Sequence, residues 1–189
     1  MPDGSALHDL ILQRRTIHDY TREAVDDAAI ERALVAAIHA PNHRMTTPWR
    51  FVRVGRRTRE GLADIAVGHR QKPGAPLDPA RVAEIRDKLL APHELIVVSL
   101  VRTTDPAIAR EDYASAACAI QNLHLALWAD GIGSKWSTGK VSQDPQSYAL
   151  LGVDPAREEI IGFVWVGRAK TVPAKPPRPE LAAVVRRLP

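Results

Sequence analysis

The chain has 189 residues, 45% of them hydrophobic and 25% charged, which suits one compact domain over 1–189 and leaves little room for two. Its 26 Lys+Arg against 22 Asp+Glu give a net charge of +4, and its single cysteine, Cys118, excludes an internal disulfide framework and every zinc site that needs two thiolates. No apolar run approaches the roughly 18 residues of a membrane span, and the opening MPDGSALHDLILQRR has acids and no cationic start, unlike a secretory signal; a soluble, cytoplasmic protein is the expectation.

From Ala6 to Arg15, Leu7, Leu10 and Ile11 recur at helical spacing and place Arg14 on the same inward face. Asp26-Asp27 offers an N-cap for a second helix carrying Ile30, Ala33, Leu34, Ala37 and Ile38, which Pro41 ends. Trp49 to Val54 alternates as a strand does, and a helix is expected over Arg57 to Gly68. The proline-rich stretch Gln71 to Pro79 reads as a loop before a helix at Ala80 to Leu90. Leu95 to Val101 is a continuous valine-rich run, expected as a central strand buried on both faces.

Tyr113 to Ala129 is alanine-rich and apolar nearly all round, so a buried helix is expected there, with Cys118 as inert packing and Gly131 and Gly133 as its terminators. A short helix is predicted over Gln143 to Leu151 and a last strand over Ile160 to Val166. Lys170 to Pro179 holds four prolines and reads as an extended arm, followed by a short helix or strand at Leu181 to Leu188. Irregular alternation of helices and strands favours an α+β layout, with helices packed on a small sheet.

Several motifs fail on spacing. Gly131-Ile132-Gly133 follows a helix and has Trp136 where a dinucleotide fingerprint requires its third glycine. Gly133 to Lys140 imitates a phosphate loop, but five residues separate its glycines and Val141 replaces the Ser/Thr. His39 and His43 have metal-binding spacing with Pro41 between them, which breaks the helix that would align them. The sequence carries no nucleophile elbow. A basic nucleic-acid module would need a continuous basic face, whereas the pairs Arg14-Arg15, Arg56-Arg57 and Arg186-Arg187 stand apart with acids between them.

Three segments remain, each with polar groups where an element ends. Arg14-Arg15-Thr16 offers two guanidiniums and a hydroxyl suited to a phosphate, or else cations that complement a helix C-terminus. Ala40 to Phe51 is a polar loop between two prolines that enters a strand, or a plain connection. Gly131 to Gly139 combines glycines, a flat ring and hydroxyl donors, or is an ordinary turn.

In this order the segments resemble the FMN-dependent nitroreductase family. Its members carry R-R-S/T at the end of the first helix, then A-P-[S/D]-x and Q-P-W-x-F, then an alanine-rich helix leading into G-x-G-x-x-W-x-[ST]-G. The resemblance runs from about Leu7 to Gly167 and is greatest to the small, compact nitroreductases.

The resemblance implies a nitroreductase-like α+β fold with a mostly antiparallel sheet and a long buried helix at the centre of an intertwined homodimer, with one FMN at each end of the interface. Arg14 and Arg15 would hold the phosphate and ribityl chain, and Thr16 would bond the flavin side. His43, from the partner subunit's loop, would face the ring, and Trp136, Ser137, Thr138 and Gly139 would line the phosphate and dimethylbenzene side. Arg178 resembles a C-terminal cation that reaches the phosphate. NADH or NADPH would deliver hydride to flavin N5, which carries the chemistry without a named catalytic side chain, and a nitroaromatic, quinone or related acceptor would take the electrons in a ping-pong cycle. The alternative on the same fold is a dehydrogenase, a dehalogenase or a flavin-destroying enzyme. Three departures stand out: Met45 and Thr47 replace the usual Asn and Gln, and Asn42 replaces an Asp.

Overall fold

A computed structural model describes residues 4–189, so the first three residues of the sequence lie outside the description. Its centre is a four-stranded antiparallel sheet of β1 (Trp49–Val54), β2 (Glu94–Val101), β3 (Gly133–Ser137) and β4 (Glu158–Gly167), in the order β1-β2-β4-β3. Around it lie α1 (Gly4–Gln13), α2 (Asp27–Ile38), α3 (Arg56–Gly68), α4 (Pro79–Leu90), α5 (Pro106–Ala129), α6 (Lys140–Gln143) and α7 (Pro145–Leu151). None of the described helices is long and apolar enough to cross a membrane.

Because side chains alternate along a strand, the sheet feeds two cores. Ile96, Val98 and Leu100 of β2 face α2 and α5, while Leu95 and Val97 join Leu62 of α3 and Tyr148 of α7 on the other side. Both faces are therefore covered, as the unbroken valine-rich run predicts.

The helix starts follow from capping. Asp26, Asp78 and Asp105 each accept from backbone N–H groups in the following turn, and Pro79 and Pro106 occupy first-turn positions where a missing N–H costs nothing. The Asp105 cap explains why α5 begins seven residues before the predicted Tyr113.

Three expectations need correction. The first helix ends at Gln13 and buries no residue, so Arg14 lies just past it and not on an inward helical face. α5 buries one face only, through Ala116, Ala119, Ile120, Leu123 and Leu127, while Tyr113 and Cys118 are exposed. Cys118 is thus not core packing within one chain; alanine's small apolar side chain tolerates either environment, so the composition overstated the burial. The segment after Gly131 is also a strand, β3, and not only a turn.

β3 and β4 meet at a tight point. The β2–β4 register shifts between Val98 and Ser99, where Val98 faces Gly162 and Ser99 faces Ile160. At this irregularity the Trp136 indole N–H donates to the Ile161 carbonyl at 3.2 Å. A Cβ on Gly162 would sit 2.1 Å from the indole nitrogen, so the strand accepts Trp136 only because residue 162 has no side chain. Gly162→Ala should therefore expel the indole and lower stability by about 2 kcal/mol, measured as a fall in the urea midpoint at unchanged slope.

Candidate functional site

The residues after α1 run beside the start of β3. Thr16 bridges to Ser134 in parallel fashion, and the Ile17 N–H donates to the Ser134 carbonyl at 3.1 Å. The Ser134 hydroxyl meets His124 Nδ1 of α5 at 2.6 Å. One residue thus joins Arg14-Arg15-Thr16, the long helix and the edge strand.

Arg14 is half-buried in this corner. Its pKa is lowered, first by burial and then by Arg15 and Arg178, so the extended tail brings Arg178 close enough to repel it. Among the described residues Arg14 forms no salt bridge. Arg15 turns back, donating to the carbonyls of Leu12 at 2.8 Å and Arg14 at 3.0 Å. Here the helix-end reading of Arg15 holds, while its charge still adds to the cluster. The imidazole of His124, buried and repelled by Arg14, is pushed down to about 4.

β3 distributes its remaining residues by alternation. Ser134 and Trp136 face the α5 side, where Trp136 packs on the core. Ser137, Thr138 and Gly139 line a cavity of about 480 Å³ on the other side, floored by Phe163 and Trp165. The Ser137 hydroxyl accepts from the Trp165 indole N–H at 2.9 Å.

His43 lies elsewhere. It meets Glu111 near the start of α5 at 2.8 Å, and at 1.5 Å per residue the 13 residues from Glu111 to His124 separate it from the arginine cluster by roughly 20 Å. Its loop contains three non-glycine residues with positive φ: Arg44 at 63°, Met45 at 52° and Thr47 at 48°. Asn42 holds this conformation, accepting from the Thr47 N–H at 2.7 Å and donating to Thr46 Oγ1 at 3.0 Å. An aspartate could accept but not donate, so Asn42 suits this loop. Met45 is 81% exposed, and Thr47 is exposed too. Strained, side-chain-braced loops of this kind cluster at functional sites.

Sequence reasoning missed His124, Glu111 and the lysines around Ser137 to Gly139. His124 sits at helical spacing from Ile120 and Leu127 on the buried face of α5, a signal that was available. Lys135 became informative only once Gly133–Ser137 was seen as a strand with two faces.

The fold is α+β with Arg14 and Arg15 at one end of β3, and comparison with known proteins places it. The model of the nitroreductase family matches residues 11–168, and the chain belongs to that family. YfhC of Bacillus subtilis, provisionally named an NAD(P)H nitroreductase, is 30% identical over 170 residues, covering 89% of this chain and 87% of its own. A nitroreductase-like family protein from Bacillus cereus superposes with a TM-score of 0.85 at 23% identity, covering 100% of this chain and 98% of the other. A provisionally named nitroreductase from Desulfovibrio desulfuricans, solved in complex with FMN, gives 0.74 at 27% identity over 97% and 96%.

Burial of His124 has a measurable consequence. An unfolded chain protonates this imidazole below about 6.5, whereas the folded chain resists until about 4. The unfolded state binds more protons across that window, so the contribution of His124 to stability is complete above it and is lost as pH falls through it. Urea denaturation between pH 7 and 4 should show His124→Gln losing less stability on acidification than the parent.

Proposed function

We propose that this chain, folding as one flavin-binding domain, is an FMN-dependent NAD(P)H oxidoreductase that reduces nitroaromatics, quinones or related acceptors. The observation that carries this reading is the meeting of Arg14, Arg15 and Arg178 without a carboxylate salt bridge to Arg14 among the described residues. Arg14, half-buried and repelled by Arg15 and the exposed Arg178, is favoured by an anion at this corner, and a phosphate monoester supplies about two negative charges and matching acceptor oxygens. Membership of a family that includes an FMN-bound structural relative makes FMN the fitting ligand.

When bound, FMN would supply hydride acceptance at N5 and onward electron transfer. For a quinone the net change is NAD(P)H + H⁺ + quinone → NAD(P)⁺ + hydroquinone, and for a nitro group the first product is a nitroso compound plus water. The chain's own residues position and exclude. Arg14 and Arg178 would clamp the phosphate, and Arg15, released from the helix carbonyls, would join them. Thr16 would bond the flavin side, and Ser137, Thr138 and Gly139 would present donors along the free edge of β3. Trp136, held by Ile161, would act through packing behind that edge.

The site is completed by a second copy of the chain. α1 buries nothing and exposes Leu7, Ile11 and Leu12, α5 exposes Tyr113, and the tail exposes Leu181, Val184 and Leu188. A chain with this much uncovered apolar surface is suited to association. His43, about 20 Å along α5 from its own Arg14, would reach the ring bound by the partner subunit.

Sedimentation should give twice 20.8 kDa; a monomer that retains flavin would contradict the composite site. Arg14→Ala should weaken FMN binding by about 2 kcal/mol, or roughly 30-fold, while Arg56→Ala on α3 leaves it unchanged. Equal retention by both would remove the phosphate assignment. Initial-rate plots at several acceptor concentrations should be parallel, and His43→Ala should change acceptor kinetics more than flavin content. Intersecting plots would require both substrates to bind at once.

A further inference from the structure

Another cavity, of about 360 Å³, opens where β1 ends and α3 begins. Arg53, Gly55, Arg56, Arg59, His93 and Glu94 are among its lining residues. β1 and β3 are the two edges of the sheet, so three strand spacings, roughly 14 Å, separate this edge from the one that carries Ser137. Most of the charge here is already engaged. Arg53 donates to both carboxylate oxygens of Glu94 and to Asp27, and Arg56 meets Glu60 one turn further along α3 at 3.2 Å.

Arg59 is the exception. It is only 6% exposed, and it crosses from α3 to the segment before β2, where Nη1 donates to the Pro92 carbonyl at 2.6 Å. Its Nε is buried without a hydrogen-bond partner, and among the described residues no carboxylate forms a salt bridge with it. Burial lowers its pKa, followed by repulsion from Arg56, and the attraction of Glu94 and Glu60 does not make up the difference. A desolvated guanidinium in this condition destabilises the fold unless an anion offsets it. Beside it the first turn of α3 lacks a side-chain cap, because Gly55 stands where Asp26 and Asp78 cap α2 and α4. The N–H groups of that turn and the positive end of a 13-residue helix add to the charge of Arg59.

We propose that this cavity binds a phosphate group, held by Arg59 and the first-turn N–H groups of α3, with His93 beside it. The site is independent of the flavin assignment. A guanidinium recognises phosphate through paired N–H donors, and a helix start offers further donors to the remaining oxygens. Because Arg53 occupies both oxygens of Glu94, an incoming anion meets Arg59 as the unsatisfied cation. The phosphate is either the free ion or the monoester end of a small metabolite, since both present the same oxygens.

The test adds inorganic phosphate or ribose 5-phosphate to the purified full chain in phosphate-free buffer. Calorimetry and the midpoint of thermal unfolding are read, with sodium chloride at equal ionic strength as the control. Inorganic phosphate should bind saturably with a dissociation constant on the order of 1 mM and raise the midpoint, and chloride should not reproduce the shift. Equal binding of ribose 5-phosphate identifies a monoester as the ligand, and its failure to bind identifies the free ion. Arg59→Met should weaken phosphate binding about tenfold, the loss of one charge-assisted contact. Gly55→Asp is a second, independent variant. An added Cβ there meets nothing within 4 Å, and the backbone angles, φ −67° and ψ 164°, resemble those of the Asp78 cap, φ −65° and ψ 153°. The new carboxylate should take the first-turn N–H groups, raise the unfolding midpoint without phosphate and abolish the phosphate response. Should Arg59→Met fail to fold, Gly55→Asp decides alone. Absence of binding, a shift that chloride matches, or phosphate binding that survives a folded Arg59→Met or Gly55→Asp overturns the proposal.

Discussion

Ser134 is the junction on which the rest depends. Its carbonyl accepts from Ile17 and its hydroxyl meets His124, so the chain leaving α1, the core of α5 and the first residues of β3 are held together. The pairing keeps two otherwise costly groups satisfied: a buried imidazole and a serine with almost no exposure. The Thr16 bridge and the Ile17 hydrogen bond fix where the Arg14 backbone leaves α1. Arg14 and Arg15 are thereby kept side by side by the backbone path into β3, although their charges repel.

β3 turns that junction into two environments. As an edge strand it leaves one row of backbone groups unpaired beyond the Thr16 bridge, and alternation sends Ser134 and Trp136 to one face and Lys135 and Ser137 to the other. Guanidiniums collect beside α5, while ammonium groups collect over Phe163 and Trp165. Gly162 makes this arrangement possible by leaving space for the Trp136 indole, and through it the edge strand is locked to β4. Stability and site geometry meet at a position with no side chain of its own.

Much of the fold could be read from the sequence because its cues are local. The N-cap at Asp26, the alternation of Trp49 to Val54 and the unbroken run of β2 act within a few residues, and each produced its element close to the predicted place. Errors arose where local chemistry is ambiguous. Alanine is compatible with buried and exposed helix faces alike, so α5 read as buried all round. The glycines of residues 131 to 139 read as a turn because strand pairing with β4, 26 to 34 residues later, is invisible locally.

The sequence by itself determined the family resemblance, the α+β class and the identity of the candidate groups, since these rest on residue types in order and on short-range spacing. It named Arg14, Arg15 and Arg178 but could not say that the tail returns to the first helix, nor that Arg15 folds back on that helix's carbonyls. It gave no sign that Lys88, Lys135 and Lys140 line one cavity. Tertiary structure decided that these converge without an acid among the cavity's lining residues, because electrostatic energy depends on distance and burial in space. The same holds for His43, whose roughly 20 Å separation from Arg14 is set by the rise of a helix that neither residue belongs to.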